Sequence, residues 1–348
     1  MRILLTKLKH IGDALVMTPT ICAIRNHHPD AEIVVVVRKG TESILAGCPA
    51  ISRILTATAA EEHRRSRWNW LEDLALIKEL RRTRFDYAFE LGDGDRGRWV
   101  CALAKARVRG TNDAVTPLPR VWKMFFRNPS HFDWLHRHRV EKDFFTVSHH
   151  LKLGDTVPGL CFARESAAAS RASEQARARC IVFHPATRLP EKLWPEDRWI
   201  ETGRAMRSRG CRIVVSVGPA AEEIALGERI TAAIGPEAFC TRGQLTWAQL
   251  ARLLYGARFF VGVDTAAMHL AAACQCPTVA IFGMTRAVQW KPWQCRHRVL
   301  AGLAETEEWA SEFVRDDNPI HRVTVESVLA AIREIELDGT PSGVPDAV

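Results

Sequence analysis

Several common signals of location and metal binding are missing from this sequence. No apolar stretch approaches the roughly 18 residues that a membrane-spanning helix needs. Residues 1–15 are interrupted by charged and polar side chains, so they lack the apolar core of a secretory signal peptide. The ten cysteines are scattered, and the closest pair, Cys274 and Cys276, has neither metal-finger spacing nor a matching second pair. We therefore expect a cytoplasmic chain with reduced thiols.

Familiar nucleotide and metal motifs are missing too. No Gly-x-Gly-x-x-Gly follows a predicted strand, which disfavours a nucleotide-dependent oxidoreductase, and there is no Walker lysine. No group of His, Asp and Glu has metal-ligand spacing. Asp93-Gly94-Asp95 has the letters of a metal-binding triplet, but the segments that suit phosphate lie elsewhere, so we interpret it as a loop. The sequence thus predicts a function that needs no metal and no resident cofactor.

Charge is plentiful but unevenly placed. The 348 residues fit two domains of about 150 to 170 residues each. Residues 1–170 hold 27 Lys and Arg against 19 Asp and Glu, whereas residues 171–348 hold 21 of each. The whole excess of +8 therefore lies in the first half. This asymmetry indicates that the first half meets an anionic partner, such as nucleic acid, a phosphorylated glycan or a membrane surface.

The first half alternates strand-like and helix-like patterns. We predict a strand over residues 2–8, a turn at residues 12–13, a helix over residues 14–27 and a buried strand over residues 33–37. Strand, helix and strand within 40 residues indicate a parallel βαβ unit, and further units follow up to a strand at 87–91. The expected fold class is therefore α/β.

Two basic, aromatic-rich stretches break this alternation, at residues 61–70 and 118–150. Basic residues interleaved with aromatic residues can bind phosphates and stack on sugars or bases. A solvated surface is the commoner fate of such a charge run, so both interpretations stay open for each stretch alone.

The second half has the same alternation. Strands are predicted at residues 180–184, 212–217, 259–263 and 278–282. Ligands of doubly wound sheets bind at the carboxyl ends of the strands, so the polar turns after the first three strands should form one rim. One of these turns, Asp264-Thr265, opens an alanine-rich helix. A helix N-terminus suits phosphate, but Asp and Thr are also preferred N-cap residues, so these letters alone do not decide between the two roles.

These segments, in this order, resemble a known family. The resemblance covers nearly the whole chain and rests on Lys7-Leu8-Lys9-His10-Ile11-Gly12-Asp13, Pro185-Ala186-Thr187, Lys192-Leu193-Trp194-Pro195, Gly218-Pro219 with Glu222, Val261-Gly262-Val263-Asp264-Thr265, and Met268-His269-Leu270-Ala271-Ala272. The family is the lipopolysaccharide core heptosyltransferases, ADP-heptose-dependent GT-B glycosyltransferases of family 9. The opening motif most resembles the branch that adds the third, side-branch heptose.

The resemblance implies a fold and a reaction. It implies two Rossmann-like, doubly wound parallel-sheet domains facing a cleft: an acceptor domain over residues 1–165 and an ADP-sugar domain over residues 166–337, with a flexible tail over residues 338–348. It implies inverting transfer of heptose from ADP-L-glycero-D-manno-heptose to the inner core of lipopolysaccharide, with Asp13 as the general base. Without the family, the favoured role of Asp13 is to cap the helix that starts at Ala14.

The resemblance also implies how the donor is held. Lys192 and Thr187 would contact the diphosphate. Glu222 would accept hydrogen bonds from the ribose hydroxyls, with Glu223 as a neighbouring candidate that the sequence separates poorly from it.

Four residues around the alanine-rich helix complete the donor prediction. Thr265 and nearby backbone amides would meet the phosphates, whereas Asp264 would cap the helix or contact sugar hydroxyls because its carboxylate repels phosphate. His269 suits packing within the helix as well as it suits a ligand. Ala266 stands where the family usually has glycine, which would let a diphosphate approach more closely.

Acceptor binding is expected in the basic first half. The candidates are Lys7, Lys9, His10, Arg64, Arg65, Arg67, Arg120 and Lys123. The acceptor implied by the resemblance is a lipid A–core glycolipid. The protein is therefore expected to be a monomer that binds no nucleic acid and contacts the cytoplasmic face of the inner membrane, whose anionic lipids attract basic residues.

Two alternatives remain from the sequence. One is a GT-B transferase that uses another nucleotide sugar or glycan acceptor. The other is not an enzyme: a nucleic-acid-binding protein that uses the basic half, for which binding should weaken steeply with salt.

Overall fold

The computed structural model describes residues 1–58, 69–163, 180–303 and 318–338. The chain divides into an N-terminal unit, Met1–Ala163, and a C-terminal unit, Arg164–Val348. Each unit is built on one parallel β-sheet, as the α/β prediction required. Among the helices described, none is both long and apolar enough to cross a membrane. The tail predicted at 338–348 lies outside the described residues except for Asp338, which ends the last helix.

The sheet of the N-terminal unit has the strand order β3-β2-β1-β4-β5. Its strands are β1 (Arg2–Lys7), β2 (Glu32–Arg38), β3 (Arg53–Ala57), β4 (Arg84–Glu90) and β5 (Lys105–Gly110). The middle strands are buried along most of their length because helices cover both faces of a parallel sheet. β5 was missed by the sequence prediction, since three of its six residues, Lys105, Arg107 and Arg109, are basic.

The helices of this unit explain one wrong prediction. They are α1 (Ile11–Val16), α2 (Thr18–His27), α3 (Asn69–Arg82), α4 (Asp95–Leu103), α5 (Arg120–Lys123) and α6 (Arg139–Leu151). Residues 12–13 were predicted to be a turn but lie inside α1, because His10 and Asp13 form a capping box that starts the helix earlier. Pro19 sits in the first turn of α2, where its missing N–H costs no hydrogen bond.

The stretch 118–150, which was expected to interrupt the alternation, contains the two helices α5 and α6. The apolar positions of α6 are buried on one face. Because polar residues lie between them, the sequence analysis did not recognise their helical spacing. His138 caps α6, its Nδ1 accepting a hydrogen bond from the backbone N–H of Val140 at 3.1 Å. A histidine of the basic stretch is thus a buried structural residue.

The sheet of the C-terminal unit has the order β11-β10-β9-β6-β7-β8. Its strands are β6 (Cys180–His184), β7 (Arg212–Val215), β8 (Ala238–Cys240), β9 (Phe259–Val263), β10 (Thr278–Phe282) and β11 (His297–Ala301). Three of the four predicted strands, β6, β9 and β10, are confirmed to the residue. The missed strands β8 and β11 are the two sheet edges, where burial and therefore apolar patterning are weakest.

Within the described residues, six α-helices pack around this second sheet. They are α7 (Glu196–Ser208), α8 (Ala221–Ile234), α9 (Trp247–Leu254), α10 (Ala266–Ala273), α11 (Ala287–Trp290) and α12 (Val325–Asp338). The core between α7, α12 and the sheet is mainly aliphatic and includes an aromatic group, in which Trp199 is fully buried and contacts Trp194 and Phe183.

Both sheets are wound in the same way. In each unit the first strand lies in the middle, the next two strands extend the sheet in one direction, and the remaining strands extend it in the other. The winding therefore reverses between β1 and β4 in one unit and between β6 and β9 in the other. Such reversal points open a crevice at the carboxyl ends of the two strands, where ligands of doubly wound sheets bind.

Candidate active site

An ion pair spans the reversal point of the C-terminal sheet. Lys192 Nζ lies 2.6 Å from Asp264 Oδ2, and the two side chains are 21% and 9% exposed. Lys192 belongs to a short 3₁₀ helix that follows β6, whereas Asp264 directly follows β9. β6 and β9 are hydrogen-bonded neighbours, with His184 opposite Gly262. The topology therefore brings together two predicted donor residues that are 72 positions apart in the sequence.

Two hydrogen bonds fix the turn that carries Lys192 to a later segment of the same unit. Asn318 Nδ2 donates to the carbonyl of Glu191 at 2.8 Å, and Trp194 Nε1 donates to the carbonyl of Val323 at 2.8 Å. The indole of Trp194 is buried in the core of the unit. The turn is thus fixed in place, and the ammonium group of Lys192 is held by Asp264.

Thr265 adds an unused hydroxyl beside this pair. It occupies the N-cap position of α10, but its side chain caps no backbone amide. Its Oγ1 is buried and has no hydrogen-bond partner within the described ranges. A buried hydroxyl without a partner is costly, so it is suited to a polar group that arrives with a ligand.

The alanine at 266 is compatible with this arrangement. It is the first residue of α10 and is half-buried. The residues with positive φ among those described do not include Ala266. A glycine is therefore not needed for the backbone conformation at this point, and the extra methyl group affects only the space above the helix N-terminus.

The two acidic candidates after β7 have different surroundings. Glu223 Oε2 accepts a hydrogen bond from the backbone N–H of Gly218 at 2.7 Å and so holds the turn that leads into α8. A side chain at Gly218 would collide with this carboxylate. Glu222 is exposed in the first turn of α8. Of the two, Glu222 is therefore the one whose carboxylate is open to a ligand.

The remaining donor-side candidates lie at the same edge or beneath it. Thr187 is half-buried, and its Oγ1 accepts from the N–H of Leu189 at 3.3 Å. His269 is 2% exposed, and its ring centroid lies 6.1 Å from that of Trp290. Packing inside the unit thus accounts for His269, whereas Thr187 remains accessible.

His184, at the end of β6, is a buried titratable group under the crevice. Burial lowers the pKa of its imidazole to about 4. The imidazole Nδ1 lies 3.4 Å from Ser216 Oγ. The imidazole is neutral at neutral pH.

This burial predicts a pH-dependent stability. Because the unfolded histidine has a pKa near 6.5, the unfolded state binds more protons than the folded state below that pH. Stability should therefore fall as the pH drops from about 6.5 to 4, by about 3 kcal/mol. The measurement is urea unfolding across this range for the wild type and for His184→Gln. The stability difference between them should change with pH, and a constant difference would contradict a depressed pKa.

In the N-terminal unit, Asp13 follows the central strand at the other reversal point. It lies in the first turn of α1 and is half-buried. Its Oδ2 accepts a hydrogen bond from the backbone N–H of His10 at 3.1 Å. Asp13 is thus not the N-cap of a helix starting at Ala14, and its own helix fixes the direction of its carboxylate.

A buried ionic cluster lies in the same unit. Lys7 Nζ contacts Asp143 Oδ2 at 2.5 Å, and Lys142 Nζ contacts Asp93 Oδ2 at the same distance. Burial raises the pKa of the Asp143 carboxyl, which the ammonium groups of Lys7 and Lys142 oppose. Burial likewise raises the pKa of Glu90, whose Oε1 accepts from the N–H of Gly92 at 2.8 Å.

This cluster changes the interpretation of two sequence motifs. Lys7, which was predicted to bind the acceptor, is 4% exposed, and its ammonium group is paired with Asp143. The Asp93-Gly94-Asp95 segment carries two engaged carboxylates, since Asp93 meets Lys142 and Asp95 Oδ1 accepts from Trp122 Nε1 at 2.8 Å.

The other acceptor candidates fall into two groups. Lys9, His10, Arg120 and Lys123 are exposed on the N-terminal unit. Arg64, Arg65 and Arg67 lie outside the described residues.

Sequence reasoning missed one cluster altogether. The Sγ atoms of Cys22, Cys48 and Cys161 lie within 4.8 Å of one another. Their positions are far apart in the chain and follow no metal-ligand spacing, so no local signal in the sequence points to them.

The two doubly wound units give the chain the GT-B fold. Residues 74–317 match the glycosyltransferase family 9 (heptosyltransferase). The chain belongs to this family, and it is a heptosyltransferase. The family is one of enzymes, so the alternative of a non-enzymatic nucleic-acid-binding protein is set aside.

Individual relatives extend the similarity along the chain. Lipopolysaccharide heptosyltransferase 3 of Escherichia coli K12 is 25% identical over 96% of this chain and 98% of its own length. Lipopolysaccharide heptosyltransferase 1 of Pseudomonas aeruginosa is 29% identical over 82% of this chain and 79% of its own. The structure of an E. coli heptosyltransferase with ADP superposes with a TM-score of 0.76 at 22% identity, covering 96% of this chain and 100% of that one. This last similarity shows the fold.

Proposed function

We propose that this heptosyltransferase transfers heptose from ADP-L-glycero-D-manno-heptose to the inner core of lipopolysaccharide, with inversion at the anomeric carbon. The observation that carries the proposal is the Lys192–Asp264 pair over the reversal point, beside the partnerless hydroxyl of Thr265. The relatives named as lipopolysaccharide heptosyltransferases and the related structure with bound ADP support the choice of acceptor and nucleotide.

The diphosphate is held by the cation and the helix N-terminus. An ammonium group has three donors, so Lys192 can keep its bond to Asp264 and still donate to a phosphate. Asp264 then has a role that the sequence left open: it orients the ammonium group. Thr265 Oγ1 and the first amides of α10 donate to the other phosphate oxygens. Together they stabilise the charge that develops on the leaving ADP.

Two carboxylates have separate roles: one binds the nucleoside, and the other accepts the proton of the acceptor hydroxyl. Glu222 accepts hydrogen bonds from the ribose hydroxyls, and Thr187 contributes its hydroxyl at the same edge. Asp13 accepts the proton of the acceptor hydroxyl as that oxygen bonds to the anomeric carbon. The bond from the anomeric carbon to the phosphate oxygen breaks with its electron pair going to ADP. No step requires a metal ion, so turnover should persist in EDTA.

The acceptor is a membrane lipid, and one surface of the N-terminal unit suits such a partner. Trp99, Val121 and Met124 are 48%, 47% and 65% exposed, next to the exposed cations Arg120 and Lys123. The ring of Trp99 lies 4.9 Å from that of Trp122, so α4 and α5 present these side chains together. Exposed apolar and basic side chains in one patch are typical of proteins that lie on anionic membranes.

This surface predicts a measurable membrane affinity. Replacing Arg120 and Lys123 by glutamine should weaken binding to phosphatidylglycerol-containing vesicles by about 30-fold, since each basic residue near an anionic surface contributes roughly 1 kcal/mol. Cosedimentation with vesicles measures it. Removing two exposed arginines of the other unit, Arg204 and Arg229, is the charge-matched control and should have a much smaller effect. Equal losses in both double variants would contradict a specific surface.

One alternative remains within the enzymes: another nucleotide sugar or another glycan acceptor. The test is to offer the purified protein ADP-heptose, other ADP-sugars and UDP-sugars, each with a panel of truncated core glycolipids, and to measure nucleotide release. We expect release with ADP-heptose and a heptose-containing core acceptor, in the presence of EDTA. Release with a different nucleotide sugar and none with ADP-heptose would replace the proposed donor.

A further inference from the structure

Three cysteines of the N-terminal unit meet at one point, away from the residues assigned to transfer. Cys22 lies on α2, Cys48 in the turn after a short 3₁₀ helix, and Cys161 in the final segment of the unit. Their sulfur atoms lie within 4.8 Å of one another. Among the described residues this is the group of side chains with the geometry to hold a metal ion.

The backbone fixes this meeting point from both sides. The N–H of Cys161 donates to Thr18 Oγ1, one turn before Cys22, at 3.0 Å. The N–H of Ala163 donates to the carbonyl of Gly47, next to Cys48, at 2.6 Å. A side chain at Gly47 would come within 2.6 Å of the Phe162 ring, so only glycine permits this close approach. These backbone contacts therefore hold the three cysteine-bearing segments close to one another.

We propose that Cys22, Cys48 and Cys161 form a three-thiolate site for a thiophilic cation, Zn²⁺ or Cu(I). Soft thiolate ligands select these ions. With metal–sulfur bonds of about 2.3 Å, three ligands around one ion lie roughly 4 Å apart, so the sulfurs need to approach by less than about 1 Å. Cys48 is buried whereas Cys22 and Cys161 are half-buried, which leaves a path for the ion and for a water as a fourth ligand.

An ion at this site would link the last segment of the N-terminal unit to the rest of that unit. Binding joins α2, the turn at Cys48 and the segment that ends this unit, which are separated by 26 and 113 residues in the sequence. An ion that binds only the folded chain stabilises it by mass action. The proposal is independent of the donor, acceptor and base assignments.

The test uses the full chain, reduced and freed of metal under anaerobic conditions. It is titrated with Zn²⁺ and with Cu(I) against chromophoric chelators, and the bound form is examined by X-ray absorption. We expect one equivalent of one of these ions with three sulfur neighbours at about 2.3 Å. Cys22→Ser and Cys161→Ser should each weaken binding by more than about 100-fold, since loss of even an outer-shell partner costs 10–100-fold. Cys240→Ser, a half-buried cysteine of the other unit, should leave it unchanged.

A second readout needs no variant. In the native wild-type protein the ion should protect these three thiols from alkylation, as measured by peptide mass spectrometry, and leave Cys240 unaffected. Absence of binding, equal binding by the cluster variants and the control, a shell dominated by oxygen and nitrogen, or a disulfide among the three cysteines in the reduced preparation would each overturn the proposal.

Discussion

Asp13→Asn is expected to lower kcat for heptosyl transfer by about 1,000-fold, within the range that general bases contribute. The substitution removes the proton acceptor but keeps a side-chain oxygen. That oxygen can still accept from the N–H of His10, so the start of α1 is preserved. The residues assigned to the donor lie in the other unit, so affinity for ADP should not change. Steady-state kinetics together with calorimetric titration of ADP measure both quantities.

The matched control for this substitution is Asp30→Asn. Asp30 is an exposed aspartate of the same unit, and no charged partner is found for it in the described part of the chain. Its kinetics should equal those of the wild type. If Asp13→Asn retained most of the activity while folded, the proton would have to be accepted elsewhere, and the role of Asp13 would be limited to capping α1.

Lys192→Ala is expected to reduce kcat/KM for ADP-heptose by about 100- to 1,000-fold, the loss typical for one preorganised donor to a developing negative charge. It should weaken ADP binding as well, because the same ammonium contacts the ground-state diphosphate. The variant also leaves Asp264, which is 9% exposed, without its cation beside a phosphate. Initial rates at varied donor concentration and ADP titration separate the two effects.

A double-mutant cycle tests whether Asp264 acts through Lys192. Asp264→Asn alone should lower kcat/KM by a smaller factor, and adding it to Lys192→Ala should cost little more, because both remove one interaction. Arg229→Ala is the control: this exposed cation of the same unit pairs with Glu196 at 2.8 Å, and breaking an exposed pair has a small effect. Fully additive losses would contradict an orienting role for Asp264.

The alternation of strands and helices was predictable where burial imposes an apolar pattern. β6, β9 and β10 are central strands buried over their full length, and the sequence prediction placed them to the residue. The edge strands β8 and β11 are partly exposed and lack that pattern. The predicted start of α1 was wrong because the glycine at position 12 suggested a turn. The capping box of His10 and Asp13 instead starts the helix before this glycine.

The candidate site was predictable to the extent that its residues follow strands. Asp264 and Thr265 could be placed at a strand end from the sequence. The pairing of Asp264 with Lys192 could not, since it depends on β6 and β9 being neighbours in the sheet. The pairing of Lys7 with Asp143, which is 136 positions away, likewise depends on the tertiary structure and has no signal in the sequence.

The most direct test of the account is the structure of the product. Purified protein is incubated with ADP-L-glycero-D-manno-heptose and a truncated core glycolipid, and the product is analysed by mass spectrometry and NMR. The account predicts a mass increase of one heptose and an anomeric configuration opposite to that of the donor, with product formation lost in Asp13→Asn. A product with retained configuration, or one formed equally well by Asp13→Asn, would contradict it.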